Sequence, residues 1–300
     1  MKYKVFNSTN EDVKKFVFEW EKTETSNEAV AEAVLYKYGS YMERTVICCS
    51  TQSGCPVKCS FCGTGGFFKR NLTADEIVEQ IRTVLEEVGI SEKEALDIKK
   101  FQLMFMSMGE PFLNYGNLEK AIVELAEIYP TAQLLVSTSA PASIKTRFQD
   151  FINLSKKYGK VGIQFSVHES TDEARKKLIP TNTSTLKEIA ELGESWAIET
   201  GRKPFYNYCV HLGNNSGEDA ARLTELFKPC VWETTLSVIC EKDESVKNSI
   251  ERQLEIINQF SSEMVNRGAS IRVFNPAGQD DIGGGCGQLW YFQKWLKENS

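Results

Sequence analysis

Several features that this 300-residue chain lacks narrow its class before any motif is read. No apolar run approaches the roughly 20 residues that a membrane helix needs, so no membrane partner is expected. The opening residues, MKYKVFNSTNEDVKK, have no apolar core of the kind a signal peptide carries, and a cytoplasmic location is expected. There is no basic surplus: 35 Lys and Arg stand against 41 Asp and Glu, for a net charge of −6. Phosphate neutralisation dominates affinity for nucleic acid, so this balance weighs against a large RNA substrate unless a basic patch is concentrated locally. Internal repeats, low-complexity tracts and long linkers are also missing. One main α/β domain is expected, since barrels of this length are common as single domains.

What the chain has in excess is cysteine in one place. Cys48 to Cys62 reads CCSTQSGCPVKCSFC and holds five of the nine cysteines. An odd total with one crowded cluster is not a secreted disulfide framework; in a reducing compartment it points to metal or redox chemistry. Cys55, Cys59 and Cys62 have the spacing C-x3-C-x2-C, with Phe61 before the last and Gly63-Thr64-Gly65 after it. Three thiolates on one short loop suit a soft metal centre. They fill only three corners of a four-iron cluster, which leaves one iron open to bind something else. A structural zinc site is the competing interpretation, but zinc favours four closed ligands, commonly paired C-x2-C units, and no second pair appears. Taken alone, Cys48 and Cys49 are small buried apolar residues on a strand, and Cys209, Cys230 and Cys240 are core or incidental.

From Arg44 onward the pattern alternates. RTVICCS reads as a buried strand that runs into the cysteine loop. Thr73-Ala-Asp-Glu76 is a capping box ahead of an apolar stripe at Ile77, Ile81, Val84 and Leu85, which predicts an amphipathic helix. Strands are predicted at 100–107, 133–137, 161–167, 205–211, 233–238 and 271–274. Helices are predicted at 118–128, 143–157, 171–178, 185–200, 218–227, 246–267 (with Ser245 as N-cap) and 289–298. About six strand–helix alternations argue for βαβ units in a parallel sheet, either open or wound into a partial or full barrel. Residues 3–20 and 28–38 mix apolar and polar positions and suit strands or a short helix.

Active groups in such folds gather at the C-terminal ends of strands. Four marked loops fall there: the cysteine loop, Met108-Gly109-Glu110-Pro111, Ser137-Thr138-Ser139 and Ser166-Val167-His168. Taken singly, Glu110 is equally a turn carboxylate and His168 equally a core histidine; His211, Asp280 and Asp281 are structural or solvated. The convergence of four strand ends on one mouth outweighs any one of them.

The C-x3-C-x-aromatic-C motif with Gly-Thr-Gly, followed by Gly109-Glu110, resembles the radical S-adenosylmethionine (SAM) superfamily. More narrowly, CCSTQSGC, FKRNLTADEI, MGEPFLN, VSTSA, FSVHESTDEARKKLIPTN and GQDDIGGGCGQL resemble, in order, the radical SAM methyltransferases that modify an adenine carbon in ribosomal and, in some members, transfer RNA. The resemblance implies a partial (β/α)6 barrel of the radical SAM type over residues 44–275. It also implies a small N-terminal extension over 1–43 and a C-terminal segment over 276–300. It implies a [4Fe–4S] cluster on Cys55, Cys59 and Cys62. SAM would be bound by Gly109 and Glu110, the carboxylate accepting from its ammonium group, and by Ser137, Ser166, Val167 and His168. Cys286 would be S-methylated, Cys48 would resolve the covalent intermediate by attacking its sulfur, and Glu32 would act as general base. An RNA substrate and an electron donor such as flavodoxin or ferredoxin are the implied partners.

Three departures from the family pattern leave the acceptor open between ribosomal RNA, transfer RNA and a non-RNA molecule. The accessory N-terminal domain is not matched. LSVICEKDES, with Cys240, replaces a SAM-contacting asparagine. Three glycines precede Cys286 in place of Asp-Ala-Ala.

Overall fold

The computed structural model describes residues 1–24, 26–239, 250–275, 277–278, 281–285 and 287–298. Cys240, Ser245, Asp280 and Cys286 lie outside the described residues. The chain begins with three strands, β1 (Lys2–Asn7), β2 (Val13–Trp20) and β3 (Ala29–Lys37), and continues into β4 (Arg44–Cys49). A short ribbon follows, β5 (Gln52–Gly54) with β6 (Phe68–Asn71), then α1 (Ala74–Glu87) and α2 (Glu92–Ala95). Thereafter strand and helix alternate: β7 (Lys100–Phe105), α3 (Tyr115–Ile128), β8 (Gln133–Thr138), α4 (Phe148–Tyr158) and β9 (Val161–Ser166). Next come α5 (Asp172–Leu178), α6 (Leu186–Thr200), β10 (Phe205–Cys209), α7 (Gly217–Leu226) and β11 (Glu233–Ser237). The chain ends with α8 (Ile250–Asn266), β12 (Ile271–Phe274) and α9 (Trp290–Glu298).

The strands form one ten-stranded sheet in the order β1-β2-β3-β4-β7-β8-β9-β10-β11-β12. From β4 to β12 every neighbour is parallel, as helical crossovers require. The parallel sheet expected from the alternation is present, in keeping with the partial barrel that the family resemblance implies, with a seventh parallel strand beyond the six. Residues 2–37 are strands rather than helix. They add an antiparallel meander to the same sheet, β3 pairing β4 with Val34 opposite Cys48.

Parity divides the sheet into two chemistries, because alternate side chains point to opposite faces. Ile47, Cys49, Leu103, Phe105, Leu134, Val136, Ile163 and Phe165 are all buried on the helix-covered face. Cys48, Met104 and Leu135 follow one another in register across the opposite, inner face, and Ser137 pairs there with Gln164 and Ser166 with Asn207. That face is more polar, and several of its positions are half-buried.

The helices start where the sequence signals them. Thr73 and Thr185 each close a complete capping box, with Glu76 and Glu188 reaching back. The stripe Ile77, Ile81, Val84 and Leu85 is buried against the sheet, each side chain worth about 1.5–3 kcal/mol. Helix α6 docks through Gly193, where an added Cβ would lie 2.1 Å from the buried Trp232 indole. A rigid ring cannot yield as a flexible side chain can. We expect Gly193→Ala to cost about 2 kcal/mol and lower the melting temperature by several degrees. Gly116→Ala, in open space on α3, should instead be neutral or slightly stabilising. Equal melting temperatures for the two variants would contradict this packing.

Candidate active site

The cysteine loop is a closed structure. After β4 the backbone enters β5, which pairs antiparallel with β6, so residues 55–67 are clamped at their base. Cys55 N donates to Phe67 O at 2.6 Å across that base. Tight turns follow, with Cys62 N bonded to Cys59 O, Gly65 N to Cys62 O and Phe67 N to Thr64 O. The outer side is held by Ser60 N on Leu178 O and by the Thr181 hydroxyl on Val57 O. All three thiols are free and half-buried. Burial pushes the Cys55 thiol up to about 12 and raises Cys59 further, so without metal both are protonated at neutral pH. Metal capture must then release protons, which makes assembly pH-dependent.

Gly109, after β7, has φ +96 and no room for a side chain: a Cβ would sit 2.6 Å from Gln52 Cβ and 2.8 Å from Gln52 N. Its neighbour Glu110 is fully buried. One carboxylate oxygen accepts from Thr138 Oγ1 (2.6 Å) and Phe112 N (3.1 Å), the other from Ser139 N (2.7 Å) and Ser139 Oγ (2.8 Å). Desolvation raises its pKa, and these four donors oppose the rise. A carboxylate has about four lone-pair sites, and all are used within the protein. As placed, Glu110 locks the loops after β7 and β8 together; a bond to a ligand ammonium would require one of the four to give way.

Ser137 and Ser166 are half-buried on the inner face, at the ends of β8 and β9. Val167 N and His168 N both donate to Asn207 O. His168 is buried at φ +63, its Nδ1 accepts from Cys209 N at 3.2 Å, and its ring meets the Phe61 ring edge-on at 5.1 Å. Its proton therefore sits on Nε2. Desolvation, aided by Arg175, lowers its pKa to about 3.

Three groups that the sequence reading missed shape this mouth. Arg175 is buried and donates to the carbonyls of Ser139 (2.7 Å), Ser166 (3.0 Å) and Ser184 (3.1 Å). Gln52 Oε1 accepts from Glu110 N at 2.8 Å. Lys15, on β2, lies 2.7 Å from Glu32 on β3. Only Arg175 had a signal, as the one cation in FSVHESTDEARKKLIPTN that is followed at once by two lysines. Lys15 reads as a surface residue in VKKFVFEW.

The C-terminal segment brings the far end of the chain to this site. Ile282 packs with Cys48, Val13, Val34, Tyr36 and Val46 in a small apolar cluster. Tyr36 Oη donates to Gly284 O and Lys15 Nζ to Gly283 O. Three residues further on, Gly63 N donates to Gly287 O at 2.5 Å. Gly63 has to be glycine, since a Cβ there would fall 2.3 Å from Gln288 O. The residues on one side of Cys286 are thus fastened beside Cys48, and those on the other beside Cys62. Glu32 shares the inner face with Cys48, because β3 and β4 pair through Val34 and Cys48.

Residues 49–215 match the radical SAM superfamily. The chain belongs to that superfamily. A probable dual-specificity RNA methyltransferase RlmN from Heliobacterium modesticaldum is 34% identical over 269 residues, covering 86% of this chain and 66% of the relative. Another of that name, from Petrotoga mobilis, is 30% identical over 272 residues, covering 89% of this chain and 73% of the relative. The chain therefore spans two thirds to three quarters of the length of these relatives. A radical SAM methyltransferase from Sphaerobacter thermophilus superposes with a TM-score of 0.73 at 26% identity, over 96% of this chain and 80% of that one.

A [4Fe–4S] cluster and SAM are the cofactors of this superfamily, and the residues present fit them. The donor set is three thiols on a preformed loop. Among the described residues no three His, Cys, Asp or Glu side chains converge on a single ion. Three thiolates on one loop suit a cluster, in which each takes a different iron. Beside the loop, Gly109 offers main chain without a side chain.

Cys55→Ala, Cys59→Ala and Cys62→Ala should each lose cluster iron on anaerobic reconstitution, measured as iron and sulfide per chain. Retention of a full complement by any of them would remove that residue from the ligand set. His168 gives a second expectation. Its folded pKa of about 3 lies below its unfolded value near 6.5, so between them the folded state binds fewer protons. Stability should therefore fall as pH drops through that window, by about 2 kcal/mol at pH 5. His168→Asn, which tolerates the positive φ, should lose less stability than wild type between pH 7 and pH 5 in thermal melts. Parallel losses would sink the assignment.

Proposed function

We propose that this chain methylates an sp2 carbon of adenine in RNA through an S-methyl group on Cys286. One observation carries the proposal: the described residues on either side of position 286 are held at the mouth, Gly284 by Tyr36 beside the Cys48 cluster and Gly287 by Gly63 on the cysteine loop. The named relatives, which are RNA methyltransferases, point the same way. A [4Fe–4S] cluster on Cys55, Cys59 and Cys62, with SAM against Gly109, Ser137 and the Ser166–His168 turn, would supply the methyl group and the one-electron chemistry.

The chain's own residues divide the remaining work. An adenine ring carbon is not nucleophilic, so direct displacement on SAM fails, and the Cys286 thiolate is the first methyl acceptor. Once that carbon is joined to the ring, Glu32 takes the ring proton. Cys48 Sγ, as its thiolate, then attacks Cys286 Sγ; the S–S bond forms as the S–C bond breaks, the released carbon takes a proton to become the methyl group, and the unpaired electron left by the addition would return to the cluster that supplied it as the methylated base leaves. Turnover therefore ends in a Cys48–Cys286 disulfide that must be reduced, which suits a cytoplasmic setting with flavodoxin or ferredoxin as electron donor. Among the described residues no helix is long and apolar enough to cross a membrane.

A second reading keeps this chemistry and changes the acceptor to transfer RNA, a smaller nucleotide or a non-RNA molecule; the net charge of −6 favours it over a large ribosomal substrate. Intact mass after incubation with SAM should show one methyl group on wild type and none on Cys286→Ala. An unmethylated wild-type protein with a loaded cluster would end the methyl-cysteine proposal. Nucleoside analysis of ribosomal and transfer RNA from cells with and without the gene then separates the two acceptors.

A further inference from the structure

Lys15 and Glu32 form an ion pair sealed from solvent, with side chains 1% and 0% exposed and 2.7 Å between Nζ and Oε2. Taking both charges out of water is expensive, and an apolar pair of similar volume would often be no less stable. Stability alone is therefore a weak reason for Lys15 to be here. Its other contact is more telling. Lys15 Nζ also donates to Gly283 O, while Tyr36 Oη holds the next carbonyl, Gly284 O. Residues 283–285 are all glycine, so this stretch has no side chains to pack, and its position depends on its main chain being gripped. Glu32 is built into the same junction: Oε1 accepts from Phe292 N, near the start of α9, at 2.6 Å. Oε2 faces Lys15 off the ideal hydrogen-bond angle and has no other partner among the described residues. Among the described residues that oxygen faces the Lys15 ammonium alone.

We propose that Lys15 is a positioning residue that registers the proton acceptor, Glu32, against the segment carrying Cys286. It holds the carboxylate on one side and the Gly283 carbonyl on the other, so Glu32 and the glycine segment that precedes Cys286 are set by a single ammonium group. Nothing in the reaction set out above uses Lys15 directly. The inference rests on the assignment of Glu32 and Cys286 made there.

The step it serves is the transfer of the ring proton to Glu32 Oε2, after the carbon–carbon bond has formed and before Cys48 attacks. Loss of Lys15 should spare every earlier event and stall the enzyme on its substrate. The experiment compares wild type, Lys15→Met, Glu32→Gln and Lys15→Met/Glu32→Gln, each reconstituted and offered SAM, reductant and unmodified transfer and ribosomal RNA transcripts. Three quantities are read: Cys286 methylation by intact mass, covalent protein–RNA adduct on denaturing gels, and methylated nucleoside released. Lys15→Met should methylate Cys286 as wild type does, accumulate adduct, and release product about tenfold to a hundredfold more slowly. The double variant, which leaves no unpaired buried charge, should regain wild-type melting behaviour while still stalling. In metal-free protein, amide exchange across residues 281–285 should be faster in Lys15→Met than in Glu32→Gln, because only the former frees Gly283.

Wild-type product release by Lys15→Met, or release restored in the double variant, would overturn the proposal. So would a parallel loss of iron and Cys286 methylation in Lys15→Met, which would make the residue structural. Failure of the underlying assignment looks different, since wild type itself would then show no Cys286 methyl group or no RNA adduct.

Discussion

The chemistry of this protein depends on two backbones meeting without a side chain between them. Gly63 N donates to Gly287 O at 2.5 Å, and a Cβ on Gly63 would collide with Gln288 O. Gly287, at φ +75, already lies with its absent Cβ position 3.4 Å from Cys62 Cα. The contact joins the loop carrying the three thiols to the last segment of the chain. Without it, the cysteine loop after β4 and the segment 281–288 would belong to parts of the sequence with no reason to be neighbours. One of the three glycines that precede Cys286, Gly284, meets a comparable close approach. Gly284 runs close to the carbonyl oxygen of Ala277, where a Cβ would come within 3.0 Å, and Tyr36 and Lys15 fix the strand of main chain from the other side.

Parity of the sheet separates two adjacent cysteines into different roles. Cys49 points to the helix-covered face and joins the main core, and burial raises its thiol far out of the titrating range. Cys48 points to the inner face and packs with Ile282 and Tyr36. A one-residue slip of β4 would exchange them, and the register with β3 and β7 opposes that slip along six residues of β7. The same register places Glu32. Because β3 pairs β4 through Val34 and Cys48, Glu32 lies on Cys48's face however many residues the hairpin tip contains. Sequence distance between the two is not the relevant measure; strand parity is.

Much of this was legible in the chain, for reasons that are local. Capping boxes at Thr73 and Thr185 announce helix starts because cap and first turn are neighbours in sequence. The parallel strands announce themselves through their helix-covered face, where residues such as Leu103, Phe105, Leu134, Val136, Ile163 and Phe165 are all apolar and buried. The cysteine spacing announces a metal centre because one loop supplies all three thiols. What stayed hidden was non-local. The β5–β6 ribbon that clamps the cysteine loop is too short on either side to show a period. Lys15 sits between Val13 and Val17 on a strand that alternates imperfectly, and only the arrival of Glu32 and Gly283 makes its burial tolerable. Glu110 was legible as a site residue but not in its bonding, since its four donors come from the 3-10 turn after it and from β8 and the loop beyond.

That bonding changes what the mouth of the barrel is. Gln52 accepts from Glu110 N; Glu110 accepts from Ser139 N and Oγ; Ser139 O accepts from Arg175, which also holds Ser166 O. From there Val167 N bonds Asn207 O, and Asn207 Oδ1 accepts from Ser237 Oγ. Strand β5 and the loops after β7, β8 and β9 are therefore linked in one hydrogen-bonded belt that runs through β10 to β11. Each polar group in the belt is buried or half-buried, so a missing member would leave its neighbour's donor or acceptor unsatisfied at about 1–3 kcal/mol. A belt of that kind sets the distances between strand ends before any ligand arrives. Rotational and translational freedom then need not be lost by the protein at the moment of reaction, which is the condition under which a reactive group can be held to one target. Glu110 and Arg175 tie these loops together, and Ser137 and Ser166 lie half-buried at the strand ends beside them.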